Sequence, residues 1–221
     1  MNFYIITIFP EMIIPYISES IIARAIKKNK ITISFYNPRN FSQKKNKQVD
    51  DKPYGGGPGM VMMVEPITNA IKKIQQKILR RKTQVKIKII ITSPSGKEFT
   101  NQYADNLLHK KYSDIIIICG RYEGIDARVK KIFKAEEVSI GNYILTGGEI
   151  PATVVIDAIA RRIPLVLGNK DSIEENRISS SEMYTRPKIY KFNNKNYKVP
   201  KVLLSGDHKK IKQWKQKEKL C

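Results

Sequence analysis

Cysteine is nearly absent: Cys119 and Cys221 are the two in a chain of 221 residues, with no C-x-x-C pair and no cysteine–histidine cluster. A disulfide framework and a zinc site are therefore excluded as organising principles, and Cys119, at the end of an apolar run, is expected in a reduced core. Histidine is as scarce. His109 and His208 show no serine or cysteine partner pattern, and neither is assigned a catalytic role. No apolar run approaches the ~18 residues of a membrane span. The N-terminal "MNFYIITIFPEM" has no basic n-region and meets Glu11 early, so it does not read as a signal peptide; a cytoplasmic protein is expected. Acid is also short: 20 Asp+Glu face 41 Lys+Arg, a formal charge of +21. Such a field favours polyanions, with nucleic acid the default partner, although a general bias toward Ile, Lys and Asn contributes to the lysine excess. The familiar phosphate fingerprints are missing too. "GGGPGM" (Gly55–Met60) lacks the Lys-Ser/Thr ending of a P-loop, and it does not open a helix straight from a strand as G-x-G-x-x-G should.

The chain does carry alternating strand and helix patterns. "NFYIITIF" is a β-branched and aromatic run stopped by Pro10. "SESIIARAIKKNK" has helical spacing with Ser18 or Ser20 as a candidate cap, and "ITISFYNPR" reads as a strand ending at Pro38. The glycine-rich segment up to Met60 reads as a long loop, and loops of that length in a compact domain tend to be functional or disordered. Ile67, Ala70, Ile71, Ile74 and Ile78 repeat with the 3.6 period of an amphipathic helix from Glu65 to about Arg81. "VKIKIIITSPSG" is a strand ending in a turn, a helix follows over roughly Asn101–Lys110, and "DIIIICG" is the continuous apolar run of a strand buried on both faces. This alternation predicts an α/β domain with a largely parallel sheet. A boundary is expected after "PLVLG", which divides the chain into a domain over 1–168, a linker over 169–183 and a small module over 184–221. In that module, Ser205-Gly206-Asp207 leads into a basic helix with Ile211 and Trp214.

Three strand-exit loops share a character: "SPSGK" (Ser93–Lys97), "CGRYEGID" (Cys119–Asp126) and "SIGNYILTGGEIP" (Ser139–Pro151). Ligands of open α/β sheets sit outside the carboxyl ends of the strands. Any one of these loops reads as an ordinary turn, but the three together point to a nucleotide-like ligand. Pro151 stands at a plausible first helical position. Asp157 and Arg161 fall at i and i+4 on one helical face, either as a structural ion pair or as an arginine held for a substrate.

Taken in order, "IFPEM", "VDDKPYGGGPGMVMMVEP", "CGRYEGIDARV", "SIGNYILTGGEIPA", "IPLVLGN", "YTRP" and "VPKVLLSGDH" resemble the bacterial tRNA (guanine-N1)-methyltransferases, over nearly the whole chain. That family methylates the guanosine immediately 3′ of the anticodon. The resemblance implies a trefoil-knotted, mostly parallel α/β domain of the SPOUT type with a small helical C-terminal module. It also implies a homodimer with a composite active site, tRNA as substrate and S-adenosylmethionine as methyl donor. Carried over, the cofactor contacts fall on Ser93, Pro94 and Gly96, on Gly120, Tyr122 and Glu123, and on Ile140, Gly141, Asn142, Tyr143, Ile144, Leu145, Gly147, Gly148 and Pro151. The glycine loop, Tyr54, Gly55, Gly56, Gly57, Pro58, Gly59 and Met60, becomes close-approach backbone where tRNA enters.

The family's catalytic arginine matches Arg161 in "IDAIARRIP". Its catalytic aspartate reaches in from the partner subunit's linker, which is a few residues shorter here. Counting back from "YTRP" puts that position within one residue of Asp171, whose "Asp171-Ser172-Ile173" keeps the motif's character. Counting forward from "VLG" puts it on Asn176, which cannot act as a base, and Glu175 is a third candidate. Asp171 is the expected base. Asn176 in that position would instead describe a tRNA-binding homologue that keeps the fold and has lost the chemistry. The family's C-terminal module helps grip the anticodon stem, so the resemblance implies a short tRNA-contacting module over 184–221; the family usually continues beyond the stretch matching "KKIKQWKQKEKL", which here bears on tRNA affinity.

Overall fold

The structure is a computed structural model and describes residues 1–81, 84–167 and 182–217, apart from the side chain of residue 217. It divides into two compact units, Met1–Leu167 and Gly168–Cys221.

The first unit is built on β1 (Asn2–Ile6), β2 (Thr32–Tyr36), β5 (Ile87–Glu98), β6 (Asp114–Cys119) and β7 (Glu136–Ser139). Among the described residues these form one sheet in the order β2-β1-β6-β5-β7, every neighbouring pair parallel. The helices are α1 (Ile14–Ile17), α2 (Ser20–Lys27), α3 (Val64–Leu79), α4 (Asn101–His109), α5 (Ala127–Phe133) and α6 (Glu149–Ala160). The short strands β3 (Asp50–Asp51) and β4 (Val61–Met62) pair antiparallel across the mouth of the glycine loop.

The period-2 geometry of β6 explains the layers. Ile115 and Ile117 join a core with Phe3, Ile5 and the buried faces of α2, α4 and α6. Ile116 and Ile118 join a second core with Tyr4, Ile6 and α3. All six residues of β6 are buried, as a strand covered by helices on both faces must be. The predicted apolar stripe of α3 is the stripe that it buries.

In the second unit, β8 (Ile189–Phe192) and β9 (Lys195–Lys198) form an antiparallel hairpin. Its two-residue turn, Asn193-Asn194, has φ of 45° and 59°, the positive values that a tight hairpin turn requires and asparagine tolerates. A short 3-10 turn over Lys201–Leu204 leads to α7 (His208–Lys217). Asp207 starts that helix: its Oδ1 accepts from the backbone N–H groups of Lys209 and Lys210, each at 3.1 Å.

The structure departs from the sequence reading at several points. Neither serine caps α2. Ser18 closes the preceding turn by donating its hydroxyl to the Ile14 carbonyl (2.8 Å), and Glu19 holds the N-cap without a side-chain bond. Pro151 is the third residue of α6 rather than the first, a position still inside the turn where helix N–H groups lack partners. The "SPSG" turn is a local excursion of β5. Val138 pairs with Thr92 and again with Lys97, so the intervening residues bulge out of the sheet. The C-terminal module carries the expected helix, α7, but also contains the β8–β9 hairpin.

Candidate active site

Because β6, β5 and β7 are adjacent and parallel, their carboxyl ends open side by side. The three glycine-bearing loops therefore meet at one sheet edge and enclose a cleft of about 950 Å³, at the upper end of the ~300–1,000 Å³ usual for ligand sites. Its lining comes from residues 91–95, 120–127, 137–141 and 143–148, with Pro151 and lysines of the α5 region. Ser93, Pro94, Gly120, Tyr122, Glu123, Ile140, Gly141, Tyr143, Ile144, Leu145, Gly147, Gly148 and Pro151 are thereby brought together. Gly96 and Asn142 are not among the lining residues. Gly96 instead serves the sheet. A Cβ there would lie 2.4 Å from the Val138 backbone nitrogen, so glycine lets β5 fold back onto β7.

The loops are joined at Thr92. Its buried hydroxyl donates to the Ile118 carbonyl (3.2 Å) and accepts from Gly120 N–H (3.4 Å), while Gly148 N–H donates to the Gly120 carbonyl (2.9 Å). A Cβ on Gly148 would sit 2.0 Å from Thr92 Oγ1 and 2.8 Å from Cys119 Cα. The third loop thus crosses the exits of the other two at bare-backbone distance. The burial of Cys119 pushes its thiol well above the ordinary range, with Glu149 adding to the effect.

Arg121, beside the predicted residues, escapes the sequence pattern. Its Nη2 lies 2.8 Å from Glu149 Oε2, with the two side chains 13% and 1% exposed. The guanidinium also donates to the Thr146 carbonyl (3.2 Å) and stands 4.6 Å from the Phe9 ring centre. Glu149 Oε1 accepts from the Thr7 hydroxyl at 2.6 Å. A buried ion pair therefore links the end of β1, the start of α6 and the cleft wall. Arg121 Nε and Glu149 Oε2 nevertheless lack a well-oriented hydrogen bond; the close Nη2 approach makes the pair coulombic.

The glycine loop is fastened to this site. Glu123 N–H donates to the Met60 carbonyl (3.0 Å), Met62 N–H to the Gly124 carbonyl (2.9 Å), and Asp126 N–H to the Met62 carbonyl (3.0 Å). Gly55, Gly56, Gly57 and Gly59 all have positive φ, between 80° and 113°, which accounts for the residue type. A Cβ on Gly59 would reach within 2.7 Å of the Glu123 side chain, whereas Gly55, Gly56 and Gly57 face open space. Tyr54 and Pro58 are exposed at the same tip and Met60 is half-buried. Tyr122 has its phenol pushed up, mainly by burial and then by the Asp50 carboxylate. Asp126 is held below the usual carboxylate range by its hydrogen bond from Arg128.

Arg161 stands at the C-cap of α6, ten residues beyond Pro151, or about 15 Å along the helix, and it is not among the residues lining the cleft. The Asp157 carboxylate accepts the Tyr16 hydroxyl at 2.7 Å. Asp171, Glu175 and Asn176 lie outside the described residues. Among the described residues, no group of three His, Cys, Asp or Glu could hold a metal ion, and no helix is long and apolar enough to cross a membrane.

Comparison with known proteins places this arrangement in context. The model of one family, described as tRNA (Guanine-1)-methyltransferase TrmD, matches residues 1–221. A tRNA (guanine-N(1)-)-methyltransferase of Buchnera aphidicola is 50% identical over 222 residues, which cover 99% of this chain and 89% of that protein. The protein of the same description from Carboxydothermus hydrogenoformans is 46% identical, over 100% of this chain and 83% of its own length. The crystal structure of the tRNA (m1G37) methyltransferase from Aquifex aeolicus superposes with a TM-score of 0.78 at 40% identity, covering 98% of this chain and 88% of that one.

Proposed function

Starting from the fact that the chain belongs to the tRNA (guanine-1)-methyltransferase family, we propose that the cleft at the β5, β6 and β7 exits holds S-adenosylmethionine and faces a guanosine of tRNA. The activity is methylation of N1 of the guanosine 3′ of the anticodon, the m1G37 reaction named for the Aquifex relative. One observation carries the cofactor assignment: three loops meet at Thr92, Gly120 and Gly148 around a cleft large enough for a nucleoside. Tyr143, Ile144 and Leu145 are exposed apolar side chains on that cleft, suited to pack on an adenosine, and the glycines leave backbone amides and carbonyls open to read a purine edge. When bound, the cofactor supplies an electrophilic methyl group.

Guanine N1 carries a proton at neutral pH and must lose it to act as nucleophile. A carboxylate base contributes typically ~10²–10⁴-fold, and Asp171 is assigned that role. Arg161 supplies positive charge near O6, where negative charge develops as the proton leaves. The glycine loop receives the tRNA so that the target base can stand in line with the methyl group. Since the resemblance puts the catalytic aspartate on a linker reaching from the partner subunit, the reading takes a composite site in which one protomer's Asp171 serves its partner's cleft.

The surface of α6 supports that homodimer. The helix is apolar on nearly every side, so it needs cover all round, yet Ile150 and Val154, at i and i+4, are exposed. Phe9, Met12, Ile14 and Tyr16 add exposed apolar area from the segment before α2, and patches of this kind mark protein interfaces. The SPOUT knot is supported by the sheet order and by the bare-backbone crossing at Gly148. A tRNA-maturing enzyme of this kind belongs in the cytoplasm.

The test is transfer of labelled methyl from S-adenosylmethionine to an unmodified tRNA transcript with guanosine after the anticodon. The parent is expected to be active. Asp171→Asn and Arg161→Ala are each expected to lose most turnover while keeping cofactor affinity in calorimetry. A nearly inactive parent revived by Asn176→Asp would move the base position to residue 176.

A further inference from the structure

Arg162 follows the arginine assigned to guanine O6, yet it is turned into the protein. Its side chain is 4% exposed, which is rare for a guanidinium unless its nitrogens find partners. Here each does. Nε donates to Asp105 Oδ1 at 3.0 Å, Nη2 to Asn101 Oδ1 at 2.6 Å, and Nη1 to the Ala158 carbonyl at 2.7 Å. Asn101 and Asp105 stand one turn apart on α4, so the fork joins the end of α6 to a second helix.

A helix end is where backbone order is weakest, because the last four carbonyls have no partner within the helix. At the end of α6 all four are taken. The Asp157, Ile159 and Ala160 carbonyls accept from the N–H groups of Arg161 (3.0 Å), Arg162 (3.1 Å) and Ile163 (3.0 Å), and the Ala158 carbonyl accepts from the Arg162 guanidinium. That cation also stands at the negative end of the helix macrodipole. Arg161, at the C-cap, is thus carried on a turn closed by its neighbour's side chain. The other end of α6 is fixed by Glu149 through Arg121. The apolar packing of α4 and α6 in their common core is non-directional and resists a small turn or slide of the helix only weakly. Hydrogen bonds from a rigid planar fork resist both. α4 also follows directly on β5, which carries the Ser93–Lys97 turn at the cleft, so the fork ties the turn bearing Arg161 to the segment that leaves the first cleft loop.

We propose that Arg162 is the positioning residue for Arg161: its bonds to Asp105, Asn101 and the Ala158 carbonyl hold the end of α6 where the Arg161 charge can meet O6 as the proton leaves N1. Arg162 itself touches neither guanosine nor cofactor. This role rests on the methyltransferase reading and deepens it, since a misplacement of about 1 Å can cost about a hundredfold in rate.

The test compares single-turnover methyl transfer, at saturating S-adenosylmethionine and tRNA transcript, in the full-length parent and its variants. Arg162→Met keeps an unbranched stem and removes all three bonds. Asp105→Ala removes one of them from the α4 side and leaves α6 unchanged. Arg162→Met should lower the rate by roughly ten- to hundredfold, and Asp105→Ala by a smaller factor in the same direction. Arg162→Lys, whose one ammonium group cannot reproduce the fork, should fall between the parent and Arg162→Met. Binding stoichiometry and Kd for S-adenosylmethionine, and Kd for tRNA, should stay at parental values. In an Arg161→Ala background, Arg162→Met should change the residual rate by less than about twofold, because the group that it positions is gone. Parental turnover in Arg162→Met overturns the proposal. So does an equal fold loss with and without Arg161, or a lost cofactor stoichiometry, either of which would leave Arg162 a role in folding only. If the parent itself transfers no methyl, the methyltransferase reading fails. If the parent is active and Arg162→Met matches it, the Arg162 assignment fails by itself.

Discussion

At the scale of single residues, the Arg121–Glu149 pair is where the site is most exposed to damage. Two charges have left water and compensate each other at 2.8 Å, so removing one strands the other. Glu149→Ala should destabilise the first unit by about 3–5 kcal/mol, read by denaturant unfolding, and should weaken cofactor binding because Arg121 no longer steadies the Thr146 carbonyl. Tyr16 allows a cleaner measurement. Its hydrogen bond to the Asp157 carboxylate, with burial second, pushes its phenol up to about 12. The native state therefore holds that proton more tightly than an unfolded chain, in which tyrosine ionises near ~10. The linked stability is complete below the unfolded value and is lost as pH rises through the folded one. A difference titration against Tyr16→Phe should show one phenol ionising near 12, and Asp157→Asn should move it back toward ~10.

At the scale of elements, the glycine loop is a span of positive-φ glycines with both ends anchored by β3–β4 pairing and by its bonds to the Glu123 loop. Gly57 has φ 113° with open space around it, so Gly57→Val meets no neighbour but does meet a backbone penalty of ~1–3 kcal/mol. The loop should shift while the unit stays folded. Cofactor affinity should survive, and kcat/KM for tRNA should fall by about tenfold or more, in line with that strain. A variant with full activity would remove the loop from substrate handling. Much of the architecture is legible in the sequence. The Ile67 to Ile78 stripe and the Ile115–Ile118 run each carry a period that only one element satisfies, and glycine spacing marks the loops. Other elements are hidden for physical reasons. The β3–β4 pair is too short to show a pattern. The β8–β9 hairpin does alternate aromatic with lysine about an Asn-Asn turn, a signal masked by the polar, lysine-rich stretch around it. Thr92 and Glu149 cannot be found at all from local pattern, because their partners are 28 and 142 residues away in sequence.

At the scale of the molecule, the exposed α6 stripe decides whether one chain suffices. Ile150→Lys combined with Val154→Lys would set two ammonium groups into the proposed interface, where unpaired charge is costly. The sedimenting mass should halve and methyl transfer should collapse, although each chain keeps its own cofactor cleft. Retained mass with full activity would instead make the stripe an ordinary surface.

The pairing of β1 also has a consequence for synthesis. This strand is made well before its inner neighbour in the sheet, β6: Asn2 meets Asp114 across 112 positions of chain. At ~5–20 residues per second, translation takes roughly 6 to 22 s to deliver that partner. Until then an apolar strand has an open edge, the condition that invites pairing with other chains. The nascent polypeptide therefore needs shelter along β1 until β6 has been made.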